Sequence, residues 1–286
     1  MNGILLVDKP SDWTSHDVVA KLRGVFGERR IGHSGTLDPM ATGLLVVFLG
    51  RATKAVSFAE AREKRYIARL RLGVTTDTQD VTGRVLSEAE QQITRAELEA
   101  ALDAFRGDIL QTPPMYSAIK VDGKRLYEVA RRGGEVERAA RPITIRRLEL
   151  IGSVDGDWLL DVTCSKGTYI RTLCHDIGAA LGCGGTMAAL RRIAVGDYRV
   201  REAHTMERLS SLSRAEAERL LLPLDSVFRA LPAVTLTETQ ERLCRSGSAF
   251  PCGAPEGTAR FYGAAGDFLM LGTVEDGTAT AIKRFF

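Results

Sequence analysis

Gly32-His33-Ser34-Gly35-Thr36-Leu37-Asp38-Pro39-Met40-Ala41-Thr42-Gly43 is the stretch on which the reading of this chain depends. Its glycines and Pro39 hold the backbone in one shape and let it come close to a ligand. Asp38 stands between Leu37 and Pro39, so a stiff, partly apolar turn presents its carboxylate. A carboxylate held this way can act as a nucleophile or a base, or it can be no more than the polar residue of an Asp-Pro turn. The stretch is not a phosphate-binding loop, because no Lys-Ser/Thr pair follows its final glycine. The turn-rich segment from Ile31 to Gly43 leads into Leu44–Leu49, an apolar run of strand length.

Upstream, Ile4 to Val7 reads as a strand and Asp8-Lys9-Pro10 as a turn. Thr14-Ser15 then caps a helix on which Val18, Val19, Leu22, Val25 and Phe26 recur at helical spacing up to Gly27. Downstream, Tyr66 to Leu72 alternates apolar and polar residues as a strand does. Thr94 and Glu97 form a capping-box pattern that opens a helix to Phe105. Leu159 to Cys164 reads as a strand. After Ser165-Lys166-Gly167, a helix carries Ile170, Leu173, Ile177 and Leu181 on one face and stops at Gly182. Strands and helices alternate without a regular βαβ spacing, which predicts an α+β fold with a mixed sheet. Pro223 and Pro232 bracket a boundary. Beyond it, the short apolar runs 259–262, 268–271 and 279–282 predict a small β-barrel-like module.

The 286 residues, 44% hydrophobic and 26% charged, suffice for one large domain and a small one. No apolar run reaches membrane-spanning length. The first strand starts almost at Met1, leaving no room for a signal peptide, so the expected location is the cytoplasm. The five cysteines have no C-x-x-C spacing and the four histidines no H-x-x-x-H pair. Reduced thiols and no metal are therefore expected. The net charge is only +3, yet Pro114 to Arg147 holds nine basic residues against four acidic ones. A local cationic element on a near-neutral body suits contact with a phosphate backbone, although a solvated amphipathic face would look the same.

The signature Gly32-His33-x-Gly35-x-Leu37-Asp38-Pro39-x-Ala41-x-Gly43 resembles that of the TruB family of tRNA pseudouridine synthases and their guide-RNA-dependent relatives. Gly3–Pro10 and Lys64-Arg65-Tyr66 are similar to further family motifs. So are Gly73-x-x-Thr76-Asp77-Thr78-x-Asp80-x-x-Gly83, Pro114–Ala118, Ser165–Leu173 and Leu190-Arg191-Arg192. All stand in family order from residue 3 to about 200. Thr36 occupies a place where many members carry Ala, a mild departure.

The resemblance implies a pseudouridine-synthase fold with a central mixed, mostly antiparallel sheet. It implies a catalytic domain over 1–230 with an RNA-binding thumb at about 114–142, and a PUA-like RNA-binding module over 233–286. The implied reaction isomerises the T-loop uridine at tRNA position 55, by base flipping and without a cofactor. In that reading Asp38 starts cleavage of the glycosidic bond. Arg171 pairs with Asp38, lowering its pKa and fixing its aim. Tyr66 stacks on the uracil, Tyr169 and Leu190 line the pocket, and His33 touches the RNA beside the flipped base. Lys120, Lys124, Arg125, Arg131, Arg132 and Arg141 are candidate RNA contacts. Lys9 is read either as another or as a brace for the loop. The expected partner is the T-arm stem-loop of tRNA, with no metal, no membrane and, as the simpler state, a monomer. A second reading, from a different class, is an RNA chaperone that remodels the tRNA elbow with catalysis secondary.

Overall fold

The structure is a computed structural model. It describes the whole chain except Ala118, Asp122 and Arg131 and the side chains of Lys120, Val121, Lys124, Arg125 and Tyr127. The chain opens with β1 (Gly3–Lys9), α1 (Ser15–Phe26), β2 (Ile31–Ser34), β3 (Thr42–Leu49), α2 (Val56–Glu60) and β4 (Lys64–Leu72). A hairpin, β5 (Val74–Thr76) and β6 (Val85–Glu88), precedes α3 (Arg95–Leu102) and β7 (Gly107–Gln111). The basic stretch follows as a short hairpin of β8 (Lys120–Val121) and β9 (Lys124–Arg125) running into α4 (Leu126–Ala130). Next come β10 (Arg141–Val154), β11 (Asp157–Cys164), α5 (Ile170–Ala180), β12 (Gly185–Val195), β13 (Tyr198–Arg199), β14 (His204–Thr205), α6 (Met206–Ser211) and α7 (Arg214–Glu218). The last segment holds β15 (Ala233–Thr235), α8 (Glu238–Ser246), β16 (Phe250–Pro251), β17 (Gly257–Tyr262), β18 (Phe268–Glu275) and β19 (Thr278–Arg284).

A ten-stranded sheet forms the centre, in the order β14-β1-β3-β12-β4-β11-β10-β7, with β2 paired to β3 and β13 to β12. Only β1–β14 and β3–β12 run parallel; the other pairs are antiparallel. The parallel β3–β12 contact brings Arg191 and Arg192 beside Thr42 and Gly43, the end of the Asp38 segment.

The segment from Ile31 to Gly43 is not all turn. Ile31–Ser34 forms β2, which pairs with Val46–Leu49 of β3, so its backbone groups find partners despite Gly32. Helix α1 has the expected bounds. Thr14 and Asp17 close a capping box, and Gly27 ends the helix in the left-handed region at φ 59°. Its apolar face packs on β1 and β3 through Val18, Leu22, Phe26, Leu5, Val7 and Val47. Another core, under α5, joins Leu173 and Ile177 to Tyr66, Ala68, Leu190, Leu37 and Ala41.

The C-terminal sheet, β15-β17-β18-β19-β16, leans on the central body through stacked aromatics. The rings of Phe268 and Phe285 are 5.1 Å apart, and Phe228 stands 5.8 Å from Phe285. Among the described residues, no helix is long and apolar enough to cross a membrane.

Candidate active site

The loop between β2 and β3 is built to hold Asp38 still. The Asp38 carbonyl accepts from Ala41 N–H at 3.0 Å, closing a turn with Pro39 just inside it, where its fixed φ is favoured. Ser15, at the start of α1, grips Leu37 twice: Oγ accepts from its N–H at 3.0 Å and donates to its carbonyl at 3.3 Å. The Pro39 carbonyl accepts from Asp12 N–H at 2.9 Å and from Lys9 Nζ at 3.0 Å. Gly43 has φ 99°, and a Cβ there would lie 2.3 Å from the Arg192 carbonyl oxygen, so no other residue fits.

Lys9 itself is fully buried, and its ammonium also donates to the carbonyls of Pro10 at 2.8 Å and Trp13 at 2.6 Å. This corrects its assignment as a candidate RNA contact: three carbonyls use the charge inside the protein, and the residue is a brace. Burial, opposed by Asp12 and Asp38, lowers its pKa to about 8.

Arg171 meets Asp38 from α5, with Nε 3.0 Å from Oδ2 and Nη2 3.4 Å from Oδ1. The N–H at Nε is not aligned for a hydrogen bond, so this contact is chiefly electrostatic. The guanidinium is anchored elsewhere. Nη1 donates to the Thr78 carbonyl at 2.9 Å and Nη2 to the Tyr116 carbonyl at 2.8 Å. Asp80 lies 3.7 Å from Nη1. A cation in the first turn of a helix opposes the helix dipole, and these oxygens compensate it.

The Asp38 carboxylate, 37% exposed, keeps a solvent-facing side while Arg171 is only 5% exposed. Its pKa is raised, not lowered. Burial of the group in the cleft is the largest cause, Arg171 opposes it, and Asp80 adds to the rise. Arg171 does act to lower the Asp38 pKa, as expected of an opposite charge at this distance, but desolvation acts the other way and gives the net direction.

Tyr66, Leu190, Leu37 and Ala41 belong to one buried cluster, with Tyr66 and Leu190 each 8% exposed. Burial pushes the Tyr66 hydroxyl up to about 12, so it stays protonated at neutral pH. Tyr169 caps α5, and Gln111 fixes its backbone on both sides: Oε1 accepts its N–H at 2.8 Å and Nε2 donates to its carbonyl at 3.1 Å. His33 lies on β2 with its ring 5.9 Å from that of His16. Burial, then His16 and Arg192, lower its pKa to about 4, leaving it neutral at pH 7.

Arg141 is exposed at the start of β10, and Arg132 is exposed beyond α4. Arg131 and the side chains of Lys120, Lys124 and Arg125 lie outside the described residues.

Sequence reasoning gave no role at the site to Ser15, Asp80, Gln111 or Arg192. Asp80 and Arg192 carried a signal, since both sit in family-like motifs. Ser15 and Gln111 carried none, because their partners are 22 and 58 residues away.

Residues 23–170 match the family model described as TruB family pseudouridylate synthase (N terminal domain), and residues 171–229 match tRNA pseudouridylate synthase B C-terminal domain. A protein of Aromatoleum aromaticum named tRNA pseudouridine synthase B is 46% identical over 99% of this chain and 92% of its own length. One of the same name from Chromobacterium violaceum is 49% identical over 84% of this chain and 78% of its own length. Among solved structures, a chain from a Cbf5-Nop10-Gar1 complex superposes with a TM-score of 0.75 at 24% identity. That match covers 99% of this chain and 85% of the other, a likeness of fold. With the loop, its arginine partner and the mixed sheet in hand, the relatives place the chain: it belongs to the TruB family of pseudouridine synthases.

Proposed function

We propose that this chain converts the T-loop uridine at tRNA position 55 into pseudouridine, with Asp38 starting cleavage of the glycosidic bond. Membership of the family and the shared name of its relatives make it a tRNA pseudouridine synthase. The observation that carries the role of Asp38 is its carboxylate: presented by a doubly gripped turn, faced by Arg171, and still open on one side.

The two nucleosides are isomers. The bond from ribose C1′ to base N1 breaks, a bond from C1′ to base C5 forms, and the C5 proton is exchanged for one on N1. Nothing is oxidised or reduced, so no cofactor is required. In a folded loop the target bond is hidden, and the nucleotide must swing out at a cost of a few kcal/mol. Tyr66 would stack on the extruded uracil, and Leu190 and Tyr169 would wall the pocket and keep the freed base in place. Neutral His33 suits a contact to a base better than one to a phosphate.

In the same reading residues 1–230 form the catalytic domain and 233–286 a PUA-like RNA-binding module. The stretch at about 114–142 acts as a thumb on the T-arm, and the protein works in the cytoplasm as a monomer. The relatives do not favour the chaperone alternative. The test is to incubate an unmodified tRNA transcript with the pure protein and map pseudouridine. One modified site, in the T-loop at position 55, is expected. Modification elsewhere only, or none, would refute the assignment.

A further inference from the structure

Three arginines surround the loop and differ in what meets their charge. Arg171 faces Asp38 and Asp80, and Arg191 faces Asp8 at 2.7 Å. Arg192, 1% exposed and among the bulkiest fully buried side chains, forms no ion pair among the described residues. A buried charge without a counter-charge carries a large desolvation penalty, so a plain core position would disfavour it.

Its donors explain its place. Nε donates to the Leu44 carbonyl at 2.7 Å and Nη2 to the Gly35 carbonyl at 3.0 Å. Gly35 precedes Asp38 and Leu44 follows it, so one side chain fastens both ends of the loop. The backbone adds a second tie, since Arg192 pairs with Gly43 and its carbonyl fills the space a Cβ would need there. On the other side of β12, Arg192 stands directly opposite Tyr66 in the ladder with β4. Directly paired residues share a face, with Cβ atoms about 5 Å apart.

We propose that Arg192 is a positioning residue for the reaction: it clamps the Asp38 loop at both ends and fixes the direction of the Tyr66 hydroxyl. A guanidinium can only donate hydrogen bonds. In this proposal Arg192 donates to the Tyr66 oxygen across the β12–β4 pair, which turns the single O–H proton toward the pocket. There it can donate to the base or to Asp38. Burial keeps this hydroxyl protonated at neutral pH, in keeping with a donor. The proposal rests on the assignment of the Asp38 pocket as catalytic.

The test uses the full chain with Arg192→Met, Arg192→Lys and, as a separate control on the pocket assignment, Asp38→Asn. Thermal melting, tRNA affinity and single-turnover rate against pH are read for each. Arg192→Met is expected to bind tRNA within about threefold of wild type and to lose about 100-fold in rate, the scale of a small misplacement of reacting groups. Its pH profile should shift, since Arg192 is among the charges that lower the pKa of His33. Arg192→Lys should regain about tenfold of the loss, because one charged donor remains.

A folded Arg192→Met with wild-type rate and pH profile would overturn the proposal even with Asp38→Asn inactive. An active Asp38→Asn would instead overturn the pocket assignment. Should Arg192→Met fail to fold, Tyr66→Phe combined with Arg192→Lys decides. Non-additive losses are expected if Arg192 acts through the hydroxyl, and additive ones would reject it.

Discussion

Two of the aspartates that face arginines have pKa values shifted in opposite directions. On the back of the sheet, Asp161 of β11 is bracketed by Arg65, with Nε 2.8 Å from Oδ1, and by Arg147, with Nε 2.9 Å from Oδ2. Burial alone would raise its pKa, but the hydrogen bonds and charges of the two arginines outweigh that and lower it. Asp38 has one arginine, imperfectly aligned and shared with two carbonyls and Asp80, and its pKa is raised. The same residue types thus make a satisfied structural pair in one place and an under-compensated acid in the other. A carboxylate whose hydrogen bonds are all made has nothing left to offer a substrate, whereas Asp38 does.

The contrast can be broken first at Arg171. Arg171→Met should lower the single-turnover rate by about 100- to 1,000-fold, the scale of losing an electrostatic partner in an active site. It should also shift the acid limb upward, because burial and Asp80 would then be opposed at Asp38 by Lys9 without the larger effect of Arg171. A rate within twofold of wild type would remove Arg171 from the machinery.

At Asp161 the outcome should invert. Asp161→Asn is expected to leave the rate within about twofold, yet cost about 1–3 kcal/mol of stability at pH 7 through the lost hydrogen bonds. Since its folded pKa is depressed, that stability is present above the ordinary value of 3.8 and lost as pH falls through the folded pKa. The gap between wild type and variant in urea unfolding should therefore close below that pH.

Asp38 has the reverse sign. Its folded pKa is raised, so its contribution is present below 3.8 and lost as pH rises through the folded pKa. Asp38→Asn should consequently melt no earlier than wild type at pH 7. A clear fall in its melting temperature would contradict this balance. The smallest effect is expected at the basic stretch: neutralising Arg132 and Arg141 should flatten the slope of log affinity against log salt by about 0.7–0.9 for each phosphate they had neutralised. An unchanged slope would take them out of the RNA interface.

Elements with their own local signals could be read from the sequence. Thr14 with Gly27, and Thr94 with Glu97, delimit α1 and the start of α3 as written. The alternation in β4 survives as alternating burial. Strand β10 could not be read this way, because Arg146 and Arg147 lie within it and their charges are met by Glu63 and Asp161, which are distant in sequence. In β12, irregularities between Met187 and Ala189 and between Arg192 and Ala194 break the period of two. Helix α8 buries only Cys244 and so shows little apolar face.

At the site, the stiffness of the Asp38 turn was visible in its Gly and Pro content, while the pairing with Arg171 came from family resemblance rather than spacing. The burial of Lys9 and the rise in the Asp38 pKa depend on atoms that meet only in the folded chain. Composition carries no trace of them.

The most direct test is a side-by-side comparison of wild type and Asp38→Asn on an unmodified tRNA transcript, reading complex formation and single-turnover pseudouridine yield together. The account predicts equal binding within about threefold and a rate loss on the order of 10⁴-fold, as for removal of an essential catalytic group. Pseudouridine formation by the variant at the wild-type rate would contradict it.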